Sequence, residues 1–179
     1  MAAPGTDERL KQMKAEDVVE VVRLMEENGI EVVVDGGWSV DALIGHQTRP
    51  HGDLDIAVKH EDVPKLRELM LTRGYRELDN AARTEFNFLL ADDAGRRIDV
   101  HSYTFDSEGN LLQGIAYPSE SLAGVGTINA HRVRCITPHW MVKFHTRYEP
   151  DQDDFRDVLA LCTRYGIPLP ESYRKFVGG

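Results

Sequence analysis

"VVVDGGWSVDALIGHQTRPHGDLDIAV", residues 32–58, is the stretch on which the fold turns. A β-branched apolar run stops at two adjacent glycines, Gly36 and Gly37. A short amphipathic segment follows, then a Thr-Arg-Pro-His loop, then a strand that alternates carboxylate and aliphatic. The pattern predicts a buried strand over 30–34, a brief helix over 39–44 closed by Gly45, and a second strand over 53–58. Strand residues two apart share a face, so Asp53 and Asp55 point one way while Leu54 and Ile56 point to the core. Two ionised carboxylates about 6.6 Å apart repel by about 2.5 kcal/mol at an effective dielectric of roughly 20. A divalent cation held between them reverses that sign, and carboxylates that leave room for water suit Mg²⁺. Where a glycine pair opens a helix, backbone N–H groups can approach an anion closely. Alone, an Asp-x-Asp is ordinary on a solvated edge strand. A strand, a Gly-Gly turn, a helix and then Asp-Leu-Asp-Ile form a far more specific series.

Outward from this stretch the chain alternates helix and strand signals. Residues 6–28 carry a helical stripe through Val18, Val22 and Met25, with Gly29 as its stop; 63–73 repeats the pattern through Val63, Leu66, Leu69 and Met70, up to Gly74. Strands are predicted over 75–78, 85–90 and 97–103, the last two joined by the turn at 92–95. Another turn falls at 106–110, and 126–128 with 132–136 reads as a hairpin around 129–131. From Thr137 the pattern is helical, with Pro138 at a first helical position and Trp140, Met141 and Phe144 as its stripe. A last helix over 151–165 begins with acids and ends at Gly166. These elements predict an α/β (α+β) fold, a mixed sheet flanked by helices over 1–136 with a small helical part, 137–179, packed on it. Asp99, in "RRIDVHSY", points away from Ile98 and Val100. If its strand lies beside 53–58, three carboxylates converge, an arrangement suited to two-metal phosphoryl transfer.

The totals agree with one globular domain, or one with a small appendage: 179 residues, 41% hydrophobic and 28% charged. No stretch approaches the roughly 18 apolar residues of a membrane span, and no signal-peptide pattern opens the chain, so a cytoplasmic location with no membrane partner is expected. Cys135 and Cys162 lack metal-ligand spacing and are expected as buried thiols. A net charge of −9 disfavours nucleic acid as a partner and favours cationic small molecules.

The stretch "DGGWSVDALIGHQTRPHGDLDIAV" resembles the signature of the nucleotidyltransferase superfamily, in which a Gly-Gly or Gly-Ser turn precedes an acid-x-acid strand. Its form is similar to the small antibiotic nucleotidyltransferases, the lincosamide type above all and the aminoglycoside 2''-type more distantly. Fifteen residues (38 through 52) separate Gly37 from Asp53, which fits this subgroup. "RTEF", "IDVHSYTFDSEGNLLQ" and "FHTRYEPDQDDFRDV" extend the likeness, which covers about 30–162.

The resemblance implies a nucleotidyltransferase-type sheet and a Mg²⁺-dependent enzyme. It would move a nucleoside monophosphate, AMP from ATP, onto a hydroxyl of a small antibiotic-like acceptor. It also implies that Asp53, Asp55 and Asp99 hold a two-metal site, with Asp99 or else Glu85 as the general base. Gly36 and Gly37 would meet phosphate through backbone N–H, and Arg49 and Lys143 would supply cations, though Lys143 reads equally as an exposed helix lysine. His51 would steady its strand or touch phosphate, and Asp41 would cap or orient the loop. His101 shares a strand face with Asp99, where it would support that residue beside the substrate. Tyr103, Trp140 and Tyr148 would wall the acceptor site, unless they are core, and Trp38 reads as packing. Ser39 has no role in this signature. Two rivals stand beside this reading: the same chemistry on another metabolite or a protein, and a module that binds nucleotide without transferring it.

Overall fold

A computed structural model describes residues 12–178. Eight strands form one mixed sheet in the order β3-β4-β5-β2-β1-β8-β7, with β6 pairing on β5 beyond the end of β4. In chain order the elements are α1 (Ala15–Glu27), β1 (Val32–Asp35), α2 (Gly36–Ile44), β2 (Leu54–Lys59), α3 (Val63–Thr72), β3 (Arg76–Leu78), β4 (Asn87–Ala91) and β5 (Arg97–Phe105). After these come β6 (Leu111–Gly114), β7 (Gly124–Ile128), β8 (His131–Cys135), α4 (Pro138–Phe144) and α5 (Gln152–Tyr165).

The centre of the sheet is where the pattern is most apolar. Val32, Val33 and Val34 of β1 and Leu54, Ile56 and Val58 of β2 are buried, as a strand covered on both faces requires. β1 and β2 run antiparallel in a register that sets Asp35 opposite Asp55; β2 and β5 run parallel in a register that sets Asp55 beside Asp99. The sheet thus brings three carboxylates to one end of its central strands.

Several boundaries differ from the sequence expectation, each for a local reason. The helix expected over 6–28 begins only at Ala15, because Met13 bridges to His51 and the Lys14 N–H is capped by Asp17; residues 6–11 lie outside the described residues. The helix expected at 39 begins at Gly36, so the glycine pair is its first turn, and Gly36 sits at φ +57°. The strand expected from Glu85 begins at Asn87. Thr84 Oγ1 accepts the N–H groups of both Phe86 and Asn87, which folds 84–86 into a turn. Between β7 and β8, Asn129 and Ala130 both have positive φ, a tight turn of the type that matches strand twist.

The C-terminal helices pack on α2 and α4. Val158 and Leu161 of α5 are buried, and Tyr165 donates to the Leu43 carbonyl. Asp151 caps α5 and Gly166 ends it in the left-handed region. Beyond it, buried Tyr173 donates to the His145 carbonyl at 2.7 Å. Both cysteines are free and buried. Among the described residues no helix is long and apolar enough to cross a membrane.

Candidate active site

A cleft of about 460 Å³ opens at the carboxylate end of β1, β2 and β5. Its floor is Asp35, Gly36, Gly37, Asp53, Asp55 and His101; its far wall comes from Ile115 to Tyr117 and from α4 and the segment after it, including Met141, Phe144, His145, Arg147 and Tyr148. One ligand atom each from Asp55, Asp99 and His101 lies within 4.8 Å of the others, close enough to share a cation. This donor set of two carboxylates and an imidazole fits a divalent ion. Asp53 stands just before β2 at the exposed rim, outside that tight trio, yet its charge is felt by Asp55.

Crowding of acids governs the electrostatics. Burial first, then the charges of Asp53 and Asp35, push Asp55 up to about 8. Asp53 is raised too, by desolvation and then by Asp99. Burial alone would lower His101, but the hydrogen bond and charge of Asp99, with Asp35 and Asp55 behind it, outweigh that and raise it. A cation bound among these groups would relieve the repulsion.

The site contains residues that the sequence reading missed. Asp35 ends the apolar run, and its Oδ1 accepts the Gly36 N–H at 2.7 Å while its Oδ2 accepts the Tyr117 hydroxyl at 2.6 Å. The Gly36 N–H is thereby committed to a side chain, and Gly37 beside it lines the cleft. Asn87 donates to Asp99 Oδ1 at 2.7 Å and fixes that carboxylate. Arg147 lines the cleft with its guanidinium 4.5 Å from the Phe144 ring centre, and among the described residues it has no carboxylate partner.

Other expected residues fall into place in specific ways. His51 Nε2 meets Asp41 Oδ2 at 2.5 Å, and Asp41 Oδ1 accepts both the backbone and the hydroxyl of Thr48. Asp41 therefore orients the loop, and His51 steadies the approach to β2 while its ring also lines the cleft. Buried Trp38 packs on that ring. Ser39, without a role in the signature, is buried and accepts the Ile136 N–H. Arg49 lines the cleft but makes a two-pronged ion pair with buried Asp157, at 3.1 and 2.8 Å, which keeps it charged. Tyr148 also lines it, its hydroxyl donating to Asp154.

Four expected site residues stand elsewhere. Glu85 is exposed at the tip of the Thr84 turn, outside the cleft lining. Lys143 is exposed with its ammonium 4.5 Å from the Trp140 ring centre, and Trp140 itself packs on Phe144; helix spacing turns this pair off the cleft. Tyr103 is buried beneath Tyr117, ring centroids 6.0 Å apart, so Tyr117 rather than Tyr103 meets the cleft.

The closeness of the glycines to the site makes a prediction. A Cβ at Gly36 would run into the Asp55 carboxylate, and the backbone there is left-handed. Gly36→Ala is expected to cost about 1–3 kcal/mol of stability, read by urea denaturation.

A family profile for aminoglycoside-2''-adenylyltransferases matches residues 17–161, most of the chain and all of the cleft's floor. The chain belongs to this family. It is therefore a nucleotidyltransferase, and the mixed sheet is the nucleotidyltransferase fold. A lincosamide resistance protein of Staphylococcus haemolyticus is 23% identical over 146 residues, covering 79% of this chain and 89% of the relative. The crystal structure of the lincosamide antibiotic adenylyltransferase LnuA, lincomycin-bound, superposes with a TM-score of 0.75 at 20% identity, over 88% of this chain and 100% of that one. That of ANT(2'')-Ia in complex with adenylyl-2''-tobramycin gives 0.70 at 19% identity, over 84% and 88%.

Proposed function

We propose that this chain transfers AMP from ATP to a hydroxyl of a small antibiotic-like acceptor, with release of pyrophosphate. The observation that carries the reading is the register of β2 on β5, which sets Asp55 beside Asp99 with His101 at the mouth of a helix opened by Gly36 and Gly37. Asp53, Asp55 and Asp99 would hold Mg²⁺, which when bound offsets triphosphate charge and makes the α-phosphorus more electrophilic.

The chain's own residues do the rest. The Gly37 N–H at the start of α2 meets phosphate oxygens, and Arg147 on the opposite wall supplies a cation that Arg49, tied to Asp157, supplies less freely. The acceptor oxygen bonds to the α-phosphorus as the bond to the bridging oxygen of pyrophosphate breaks. The acceptor's proton passes to the Asp99 carboxylate, which clusters with Asp55 and His101, whereas Glu85 stands on the exposed turn at 84–86. Ile115, Met141 and Phe144 give the acceptor an apolar wall, and Tyr148 and Asp154 a polar one, suited to an amphiphilic, amine-bearing molecule. The relatives' names point the same way: one is a lincosamide resistance protein, one a lincosamide adenylyltransferase with lincomycin bound, and one holds adenylyl-2''-tobramycin.

Incubation with ATP, Mg²⁺ and lincomycin or tobramycin, followed by mass spectrometry, is expected to show an acceptor heavier by one AMP residue. Turnover of neither acceptor, with adducts formed instead on a protein mixture, would favour a protein-modifying enzyme of the same fold.

A further inference from the structure

The hydrogen bonds of Tyr117 run in a forced direction. Its hydroxyl lies 2.6 Å from Asp35 Oδ2, and a carboxylate only accepts, so the single hydroxyl proton is donated there. His101 Nδ1 stands 3.0 Å from the Tyr117 hydroxyl oxygen, whose proton is already committed, and must therefore donate to it. Nε2 faces Asp99 Oδ2 at 3.4 Å within the cluster that includes Asp55, where its proton gives way once a cation is bound; with the other ring proton held on Nδ1, the lone pair is then left on Nε2. The other oxygen of Asp99 is held by Asn87, and that of Asp35 by the Gly36 N–H, so the orientation of each partner is fixed as well.

We infer that His101 Nε2 is a direct ligand of the divalent cation, beside Asp55 and Asp99, and that Tyr117 is the positioning residue that sets its tautomer. The inference rests on the nucleotidyl-transfer reading for the presence of a cation, and goes beyond an all-carboxylate site. An imidazole nitrogen in the donor set shifts preference from Mg²⁺ towards the transition series. Tyr117 acts without touching the ion, as partners behind a ligating histidine do.

Pulsed electron paramagnetic resonance on the protein loaded with Mn²⁺ reads this directly. The wild type is expected to show the ¹⁴N coupling of a coordinated imidazole, and His101→Gln to lose it. Tyr117→Phe keeps the ring that packs on Tyr103 and Phe144, so the fold should survive with a modestly lower melting temperature from the unpaired Asp35 and His101 atoms, while Mn²⁺ affinity falls about 10- to 100-fold. Bound Mn²⁺ without nitrogen coupling would overturn the inference, as would coupling that survives His101→Gln, the signature of another nitrogen such as that of His145. Undiminished affinity in Tyr117→Phe would remove Tyr117 from it. In those cases adduct formation on lincomycin or tobramycin would leave the nucleotidyl-transfer reading standing. Absence of any Mn²⁺ binding, together with absence of adduct, would sink both.

Discussion

Replacing Asp55 by asparagine is expected to abolish nucleotidyl transfer and at the same time to stabilise the metal-free protein. The two effects have one cause. Asp55 is buried against Asp53, Asp35 and Asp99, which raises it to about 8, so in the absence of a cation its charge opposes folding. Removing that charge should raise stability by about 1–3 kcal/mol at pH 8. The transfer rate should fall by at least about 10²–10³-fold, because a preorganised charge at the reacting phosphate is lost.

The sign of the pH dependence follows. Between the ordinary aspartate value near 4 and about 8, the folded protein keeps a proton on Asp55 that the unfolded chain has released. Stability therefore declines as pH rises through that window, by up to about 1.4 kcal/mol per pH unit from this group. Asp55→Asn should lose that slope, and saturating Mg²⁺ should flatten it in the wild type. Thermal melts of both proteins between pH 5 and 9, with and without Mg²⁺, check all three statements.

The second large effect lies across the cleft. Asp157, 1% exposed on α5, receives both prongs of Arg49 from the loop ahead of β2. Asp157→Ala would strand a guanidinium that is still partly wetted. The cost is then set below that of a fully buried pair, at about 2–4 kcal/mol. Because the pair joins the C-terminal helix to the loop carrying His51, ATP affinity should fall along with stability. Arg156→Ala next to it removes an exposed pair with Asp153 and should change stability by less than about 0.5 kcal/mol. Urea denaturation separates the two variants; equal midpoints would show that the Arg49 tie contributes nothing.

The central part of this site was legible because its chemistry is local. Val32–Asp35, the glycine pair and the alternating Asp53-Leu54-Asp55-Ile56 each carry their own period, and burial of Leu54 and Ile56 fixes which way the acids face. The place of Asp99 needed a long-range pairing that no local pattern determines; the parallel register of β2 on β5 sets it beside Asp55, while Asp53 stands outside their cluster with His101. Asp35 had a signal that could have found it: a carboxylate ending a β-branched run immediately before the glycines, one strand from Asp55. Tyr117 had none. It follows β6, whose Leu111 and Leu112 are both exposed, so no alternation announces the strand or the turn beyond it. Glu85 was misplaced by the strand propensity of Phe86 and Phe88, which the Thr84 turn overrides at its start. Lys143 and Trp140 share a helix with Met141 and Phe144 but not the face those two turn to the cleft, and sequence spacing alone does not say which face that is.

One crystallographic measurement bears on the whole account: anomalous scattering from Mn²⁺ in crystals grown with a non-hydrolysable ATP analogue. A Mn²⁺ peak bonded to Asp55 and Asp99 and to a phosphate oxygen is expected, with the triphosphate over the Gly37 end of α2. A triphosphate bound with its cation held away from both aspartates would contradict it.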